Sequence, residues 1–235
     1  MADWRTPLGT WEWLLRPIPG SGKKLKRTGV KEFVMCGLLT RTVIFGLTLN
    51  LLVGVAGAWA GPPTDIVRQV IEKSLDIIQN PSYTKQDKKR MVRAIVDPHF
   101  DYREMAKRSL GPTWGKLSAG QRQEFVALFS QLLEASYSDK IEKYAQRVKI
   151  EYPGEVRDGD YVEVRTVVHK TNDRIPLNYR LINESGTWKV YDVVIEGVSL
   201  VSNYRSQFNR IIHESSYAEL VRRLKTKVSE LTQTG

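Results

Sequence analysis

The sequence predicts an α+β protein in which helices precede a four-stranded twisted antiparallel sheet and further helices follow it. Three observations carry this. From about residue 63 to 145 the apolar residues recur at helical spacing. At Val148 the period changes to two, and four alternating runs follow, with Asp158-Gly159 and Glu184-Ser185-Gly186 as turn signals between strands. At Leu200 the helical period returns. Short hairpin connections force neighbouring strands to run antiparallel, with one face left to pack on helices.

The chain has 235 residues, and the first sixty read differently from the rest. Lys23, Lys24, Lys26, Arg27 and Lys31 form a basic run, and Arg41 precedes an uncharged apolar tract from Val43 to Val55. Ala58-Trp59-Ala60 has the small-x-small form of a cleavage site, so residues 1–60 read as an N-terminal extension and a cleavable export signal ending at Ala60. The tract falls short of the roughly 20 residues a membrane span needs, which favours cleavage over an uncleaved anchor. A start at Met35 would give a signal of ordinary length and make residues 1–34 an upstream extension.

Whole-chain charge overstates the basicity of the domain. There are 36 Lys and Arg against 26 Asp and Glu, a formal net of +10. Residues 1–60 hold eight of the basic and three of the acidic residues, leaving 28 against 23, or +5, for residues 61–235. The one cysteine, Cys36, lies ahead of the apolar tract and cannot be a lipid-anchored residue at its end. An exported domain without cysteine is held by its core alone, and export excludes a nucleic-acid partner.

Within residues 61–235 the expected parts are helical from about 63 to 145, sheet from about 148 to 196, and helical again from about 199 to 232. Pro62-Pro63-Thr64 opens the first helix, whose apolar face runs Ile66, Val67, Val70, Ile71, Ser74, Leu75 and Ile78. Thr84 caps a second, with Met91, Val92 and Ile95 turned inward. Its Lys85, Lys88, Lys89, Arg90 and Arg93 form either a solvated face or a dock for an acidic partner or anionic lipid surface. A third helix covers Phe100 to Leu110 and closes at Gly111-Pro112. Ser118 caps the longest, Ala119 to about Tyr144, with a bend expected near Ser136 to Ser138. Pro176 marks an edge or the start of the third strand, because proline cannot donate to a ladder.

Catalytic constellations are sparse. His99, His169 and His213 show no metal-ligand spacing. Gly197-Val198-Ser199 sits at a strand-to-helix turn like a nucleophile elbow, but the closing glycine is missing and the sheet is antiparallel. Ser199 therefore reads as a helix cap and Gly197 as the residue that permits the turn. Simple alternation places Asp192 on one face with Trp188, Val190 and Val194. A carboxylate there is either a buried brace, with Arg180 or Arg205 as partner, or the general base of an exported enzyme acting on a small hydrophobic substrate.

Three segments carry a family resemblance: Phe100-Asp101-Tyr102-x-x-Met105-Ala106 with Leu110-Gly111-x-x-Trp114, Phe125 to Tyr137, and Tyr191-Asp192-Val193-x-x-x-Gly197-Val198-Ser199-Leu200-x-x-Asn203-Tyr204-Arg205-x-x-Phe208. With these the chain resembles the MlaC family, also called toluene-tolerance auxiliary proteins, over essentially all of residues 61–235. The resemblance implies a periplasmic, monomeric phospholipid carrier of the Mla lipid-asymmetry transport system, with no enzymatic activity. It implies a cone-like apolar cavity that holds both acyl tails, bound phospholipid as cargo with no other cofactor, and no metal. The implied partners are the inner-membrane Mla transporter complex and the outer-membrane Mla lipoprotein complex, with transient contact at membrane surfaces. The surplus of amphipathic helices around a small sheet agrees with such a cavity. On facing elements the candidate liners are Met105, Leu110, Phe129, Leu133 and Tyr137 from helices, and Val164, Leu177, Tyr179, Val190 and Val194 from strands. Val198 and Tyr204 complete the set at the sheet-to-helix corner, with Asp192, Gly197, Ser199 and Arg205 as structural residues. Peptide mapping of the exported protein is expected to find its N-terminus at Gly61; a mature chain starting earlier would contradict cleavage after Ala60.

Overall fold

A computed structural model describes residues 62–170 and 173–234. The expected export signal, its cleavage after Ala60 and the alternative start at Met35 lie outside these residues. Helix α1 spans Pro62–Gln79 and α2 Lys85–Val96, the latter capped by Thr84 Oγ1 accepting from Asp87 N. A 3-10 turn, Asp97–His99, leads to α3, Tyr102–Leu110, shorter than expected because Asp101 is its N-cap and accepts from Glu104 N at 2.8 Å. Phe100 instead bridges to Val190, so the chain is pinned to the sheet just before α3 begins. A second 3-10 turn, Gly111–Lys116, precedes α4, Ala119–Tyr144, whose Ser118 and Gln121 form a capping box. α4 continues unbroken through Ser136 to Ser138.

The sheet is a meander of five antiparallel strands in chain order: β1 Lys149–Asp158, β2 Tyr161–Lys170, β3 Asp173–Glu184, β4 Thr187–Ile195 and β5 Val198–Ser199. Sequence reading finds four strands, because β5 has only two residues and sits where Gly197 looks like a plain break. Glu196 and Gly197 both take positive φ, 50° and 83°, which is what a two-residue hairpin twisted to match its strands requires. β5 pairs back on β4 through Val194–Ser199 and Ile195–Val198, and α5, Leu200–Glu214, starts at once. A final helix, α6, covers Tyr217–Thr234. Pro176 lies inside a central strand, but β4 stops at the pair Leu177–Ile195, so Pro176 faces no ladder on that side. Its carbonyl is used, accepting from Glu196 N at 2.9 Å.

One irregularity changes which residues share a face. In the β3–β4 ladder, Arg180 pairs with Asp192 but Leu181 pairs with Val190, so Tyr191 is an extra residue on β4. A bulge of one residue inverts the alternation beyond it. Trp188 and Val190 therefore lie on the face of Leu181, whereas Asp192 and Val194 lie on the opposite face with Arg180 and Asn178. The expectation that Asp192 shares a face with Trp188 and Val190 is thus corrected; only Val194 remains with it.

On that opposite face Asp192 is 3% exposed and fully engaged. Its Oδ2 accepts from Ser199 Oγ at 2.6 Å and from Arg180 Nη1 at 3.3 Å, and its Oδ1 accepts from Val201 N at 3.0 Å. Ser199 Oγ in turn accepts from Ser202 N at 3.0 Å, so side chains from β4 and β5 together cap α5. The negative charge also sits at the positive end of the helix. Of the two arginines considered, Arg180 is the partner. Arg205 is exposed and covers Gly111, where a Cβ would lie 3.2 Å from its Nε. Gly111 also has φ +56°, so both backbone and space favour glycine there.

Two hydrophobic clusters result. One joins α3, α4, α5 and α6 around Phe125, Phe129, Phe208 and Leu220, with Phe129 meeting Phe208 edge-on at 5.6 Å. The other packs α1 on the sheet through Val67, Val162, Val164, Leu181 and Val190. Thr64 N and Oγ1 both donate to Glu155 Oε2, tying the start of α1 to β1, while Gln79 Nε2 donates to the Ala145 carbonyl at its other end. Removing the Asp192 carboxylate leaves Ser199, Val201 and Arg180 without their acceptor in a buried site. Asp192→Ala is expected to lower unfolding free energy by about 3–5 kcal/mol in urea titration, and Arg205→Ala by less than about 1. An Asp192→Ala protein as stable as the parent would contradict the brace.

Candidate functional site

The two clusters share Phe100 but leave beside it a cavity of about 420 Å³, within the usual range for small-molecule sites. Its walls follow from the helical and strand periods. α1 presents Ile66, Val70, Ile71, Leu75 and Ile78 from its broad apolar face, of which Ile71 also packs on the sheet cluster. α4 turns Leu133, Tyr137 and Ile141 toward the same space, and Ala145, its C-cap, joins them. The sheet supplies Ile150, Leu177, Tyr179, Val193 and Ile195, and Val190 joins them because the bulge at Tyr191 puts it on the same face as Val193. Met105 and Leu200, almost wholly buried, form the innermost wall.

Charge is confined to one side. Lys88, Lys89 and Arg93 of α2, Asp97, and Glu134 and Glu142 of α4 line that side together with Ile141, which is 50% exposed. This is the mouth. α2 is held across it by ion pairs: Lys89 and Lys85 reach Asp139 Oδ1 at 3.0 and 3.4 Å, and Arg93 reaches Glu134 at 2.7 Å and Asp97 at 3.0 Å. Such exposed pairs are worth at most about 1 kcal/mol each. No residue of α2 is fully buried, so the helix that borders the mouth is lightly attached. Val92 and Val96 are its cavity-facing apolar residues; Met91 and Ile95, expected to face inward, are half-buried and lie off the lining.

The interior carries no charge. Burial pushes the hydroxyls of Tyr137 and Tyr179 far above the ordinary phenol range, with neighbouring Tyr204 and Tyr152 adding to the effect, so both stay neutral. Tyr102 is raised as well, by burial and by its hydrogen bond to Asp97 at 2.9 Å. Asp192 has its carboxylate on the far side of the sheet, bound to Ser199, Val201 and Arg180, and does not line the cavity. Ser199 is occupied as a cap. His99 lines the cavity, half-buried, and burial with nearby Lys73 lowers its pKa; His169 lies 2.9 Å from Glu151, and His213 is exposed in the last turn of α5. Among the described residues no three His, Cys, Asp or Glu gather as a metal site. The arrangement is an uncharged apolar hollow with a charged mouth, complementary in chemistry to an amphiphile.

Of the twelve apolar residues singled out in the sequence, Met105, Leu133, Tyr137, Leu177, Tyr179 and Val190 line the cavity. The others lie elsewhere. Leu110 and Phe129 are in the helical cluster, and Tyr204 packs edge-on against Phe129 at 5.2 Å. Val164 is in the α1–sheet cluster. Val194 falls on the Asp192 face of the sheet, and Val198 pairs with Ile195 in β5. Sequence reading missed the α1 row, Val92, Val96, Val193 and Ile195. The signal for α1 was present: its apolar face spans seven positions, wider than one contact with a sheet consumes.

A family model described as MlaC protein matches residues 68–226. The chain is similar to the intermembrane phospholipid transport system binding protein MlaC of Haemophilus influenzae, 28% identical over 195 residues, which cover 79% of this chain and 91% of that protein. It is also similar to the toluene tolerance protein ttg2D of Pseudomonas putida, 26% identical over 180 residues, covering 74% and 82%. Among solved structures, the phospholipid-binding protein from Ralstonia solanacearum in complex with a phospholipid shares the fold, with a TM-score of 0.66 and 23% identity over 72% of this chain and 98% of that one.

Proposed function

The chain belongs to the MlaC family, and we propose that it is a phospholipid carrier that works in the periplasm. The observation that carries the reading is the uncharged cavity between the two clusters with its charged mouth on α2 and α4. The names of its relatives, one a phospholipid transport binding protein and one a toluene tolerance protein, support the same reading. Among the described residues no helix is long and apolar enough to cross a membrane. In this reading residues 1–60 export the chain, residues 61–235 form the carrier, and the partners are the inner-membrane transporter and outer-membrane lipoprotein complexes of the Mla system. The family is one of lipid-binding transport proteins, and no residue of the cavity is arranged to activate a nucleophile.

The energetics constrain how such a carrier works. Each buried methylene is worth about 0.8 kcal/mol, so two tails of some sixteen carbons gain on the order of 25 kcal/mol over water. Release into water at that cost is too slow to serve transport. The tails must therefore pass from membrane to protein to partner while shielded, and the lightly held α2 beside the mouth is the element that gives way.

Organic extraction of the purified protein, followed by mass spectrometry, is expected to yield phospholipid. Val193→Trp, which fills the cavity from the sheet, is expected to cut lipid per protein by more than half without unfolding the domain. Lipid-free protein that takes up nothing from vesicles would overturn the carrier reading.

A further inference from the structure

Lys88, Val92 and Val96 stand at i, i+4 and i+8 on α2 and all three line the cavity, forming a row about 12 Å long down one helix face. The row begins with a cation and continues with two apolar side chains. One helix face thus offers the cavity both a cation and apolar surface, the two chemistries of a phospholipid.

The neighbouring cations on α2 are engaged with carboxylates. Lys85 and Lys89 share Asp139, Arg90 pairs with Asp87, and Arg93 pairs with Glu134 and Asp97. Among the described residues Lys88 has no ion-pair partner, although Glu134 and Glu142 line the same mouth. A lysine left without a carboxylate between paired neighbours, half-buried at the rim of an apolar hollow, is an open position for an anion. Asp139 carries two lysines at once. Burial alone would raise its carboxyl, but hydrogen bonds and charge from Lys89 and Lys85 hold it below the ordinary carboxylate range. Lys89 can therefore leave Asp139 while Lys85 keeps it neutralised.

We propose that Lys88 and Lys89 form a phosphate subsite at the cavity mouth, which takes the phosphodiester of a lipid headgroup while the tails lie beyond Val92 and Val96. The proposal rests on the carrier reading and adds to it which group is recognised and where. Lys88 supplies the unpaired charge. Lys89 exchanges Asp139 for phosphate, which loosens one of the ion pairs between α2 and α4 as cargo enters and restores it as cargo leaves. Free inorganic phosphate has the same chemistry, so the test separates the two sources.

The full protein is loaded from vesicles containing phosphatidylglycerol and diacylglycerol with identical acyl chains, and both lipids are quantified per protein. The diacylglycerol fills the cavity but carries no phosphate. The parent is expected to prefer the phospholipid, and K88Q/K89Q to lose about ten-fold of that preference with diacylglycerol uptake intact. Lys85→Gln, which touches the same Asp139 but does not line the cavity, is expected to leave the preference unchanged. Thermal unfolding of each variant confirms the fold. Inorganic phosphate at matched ionic strength is expected to erode the preference of the parent and not of the double variant. An unchanged preference in K88Q/K89Q, or parallel loss of both lipids, would overturn the subsite. Inorganic phosphate perturbing the two lysines without altering lipid preference would assign them to free phosphate and overturn the headgroup role. If the parent takes up neither lipid, the carrier reading itself fails.

Discussion

Asp192 carries the join between the sheet and the helices. Its carboxylate accepts from Ser199, Val201 and Arg180 at once, so one side chain fixes the end of β4, the short strand β5 and the first turn of α5. The bulge at Tyr191 aims it there by turning Asp192 to one face while leaving Val190 and Val193 on the other. With α5 anchored, Leu200 stands at the inner end of the cavity, and Phe208 reaches the aromatic cluster around Phe125 and Phe129.

The hollow is a consequence of how the apolar faces are shared. α4 gives Phe125, Phe129 and Leu132 to the helical cluster, and Tyr137 and Ile141, further along the same helix, to the cavity. α1 packs Val67 and Ile71 on the sheet and lines the cavity with the rest of its stripe. Apolar surface left facing a void forgoes the contacts that filling it would restore, which is the physical reason a hydrocarbon guest is stabilised there. The opposing requirement is access, and it falls on α2, the one long element near the mouth with no fully buried residue and with exposed ion pairs for attachment.

Much of this was legible in the sequence, for reasons that can be named. The change of period at Val148, the caps at Thr84, Ser118 and Ser199, and the hairpin signal at Ser185-Gly186 are local, and local chemistry fixed them. β5 was hidden because two residues are too few to show alternation. The face of Asp192 was misread because a bulge leaves no mark in an alternating pattern, and only the register of β3 against β4 reveals it. Of the proposed cavity liners, Leu110, Phe129, Tyr204 and Val164 pack within the clusters away from the cavity: Phe129 and Tyr137 look alike on one helical stripe, yet two further turns along α4 carry Tyr137 to the cavity wall. Apolar character announces burial, and the partner that does the burying is a property of the tertiary fold.

In the carrier reading the acyl tails occupy the cavity lined by α1, α4 and the sheet, and not the packed interiors of the clusters. A phospholipid bearing a photoactivatable diazirine near the end of one tail, bound to the protein and irradiated, tests it directly through mass-spectrometric mapping of the labelled residues. Label on the α1 row from Ile66 to Ile78, on Met105, and on Leu177 and Val193 is the predicted result. Label confined to Leu110, Phe129 and Phe208, or to the outer surface alone, would contradict it.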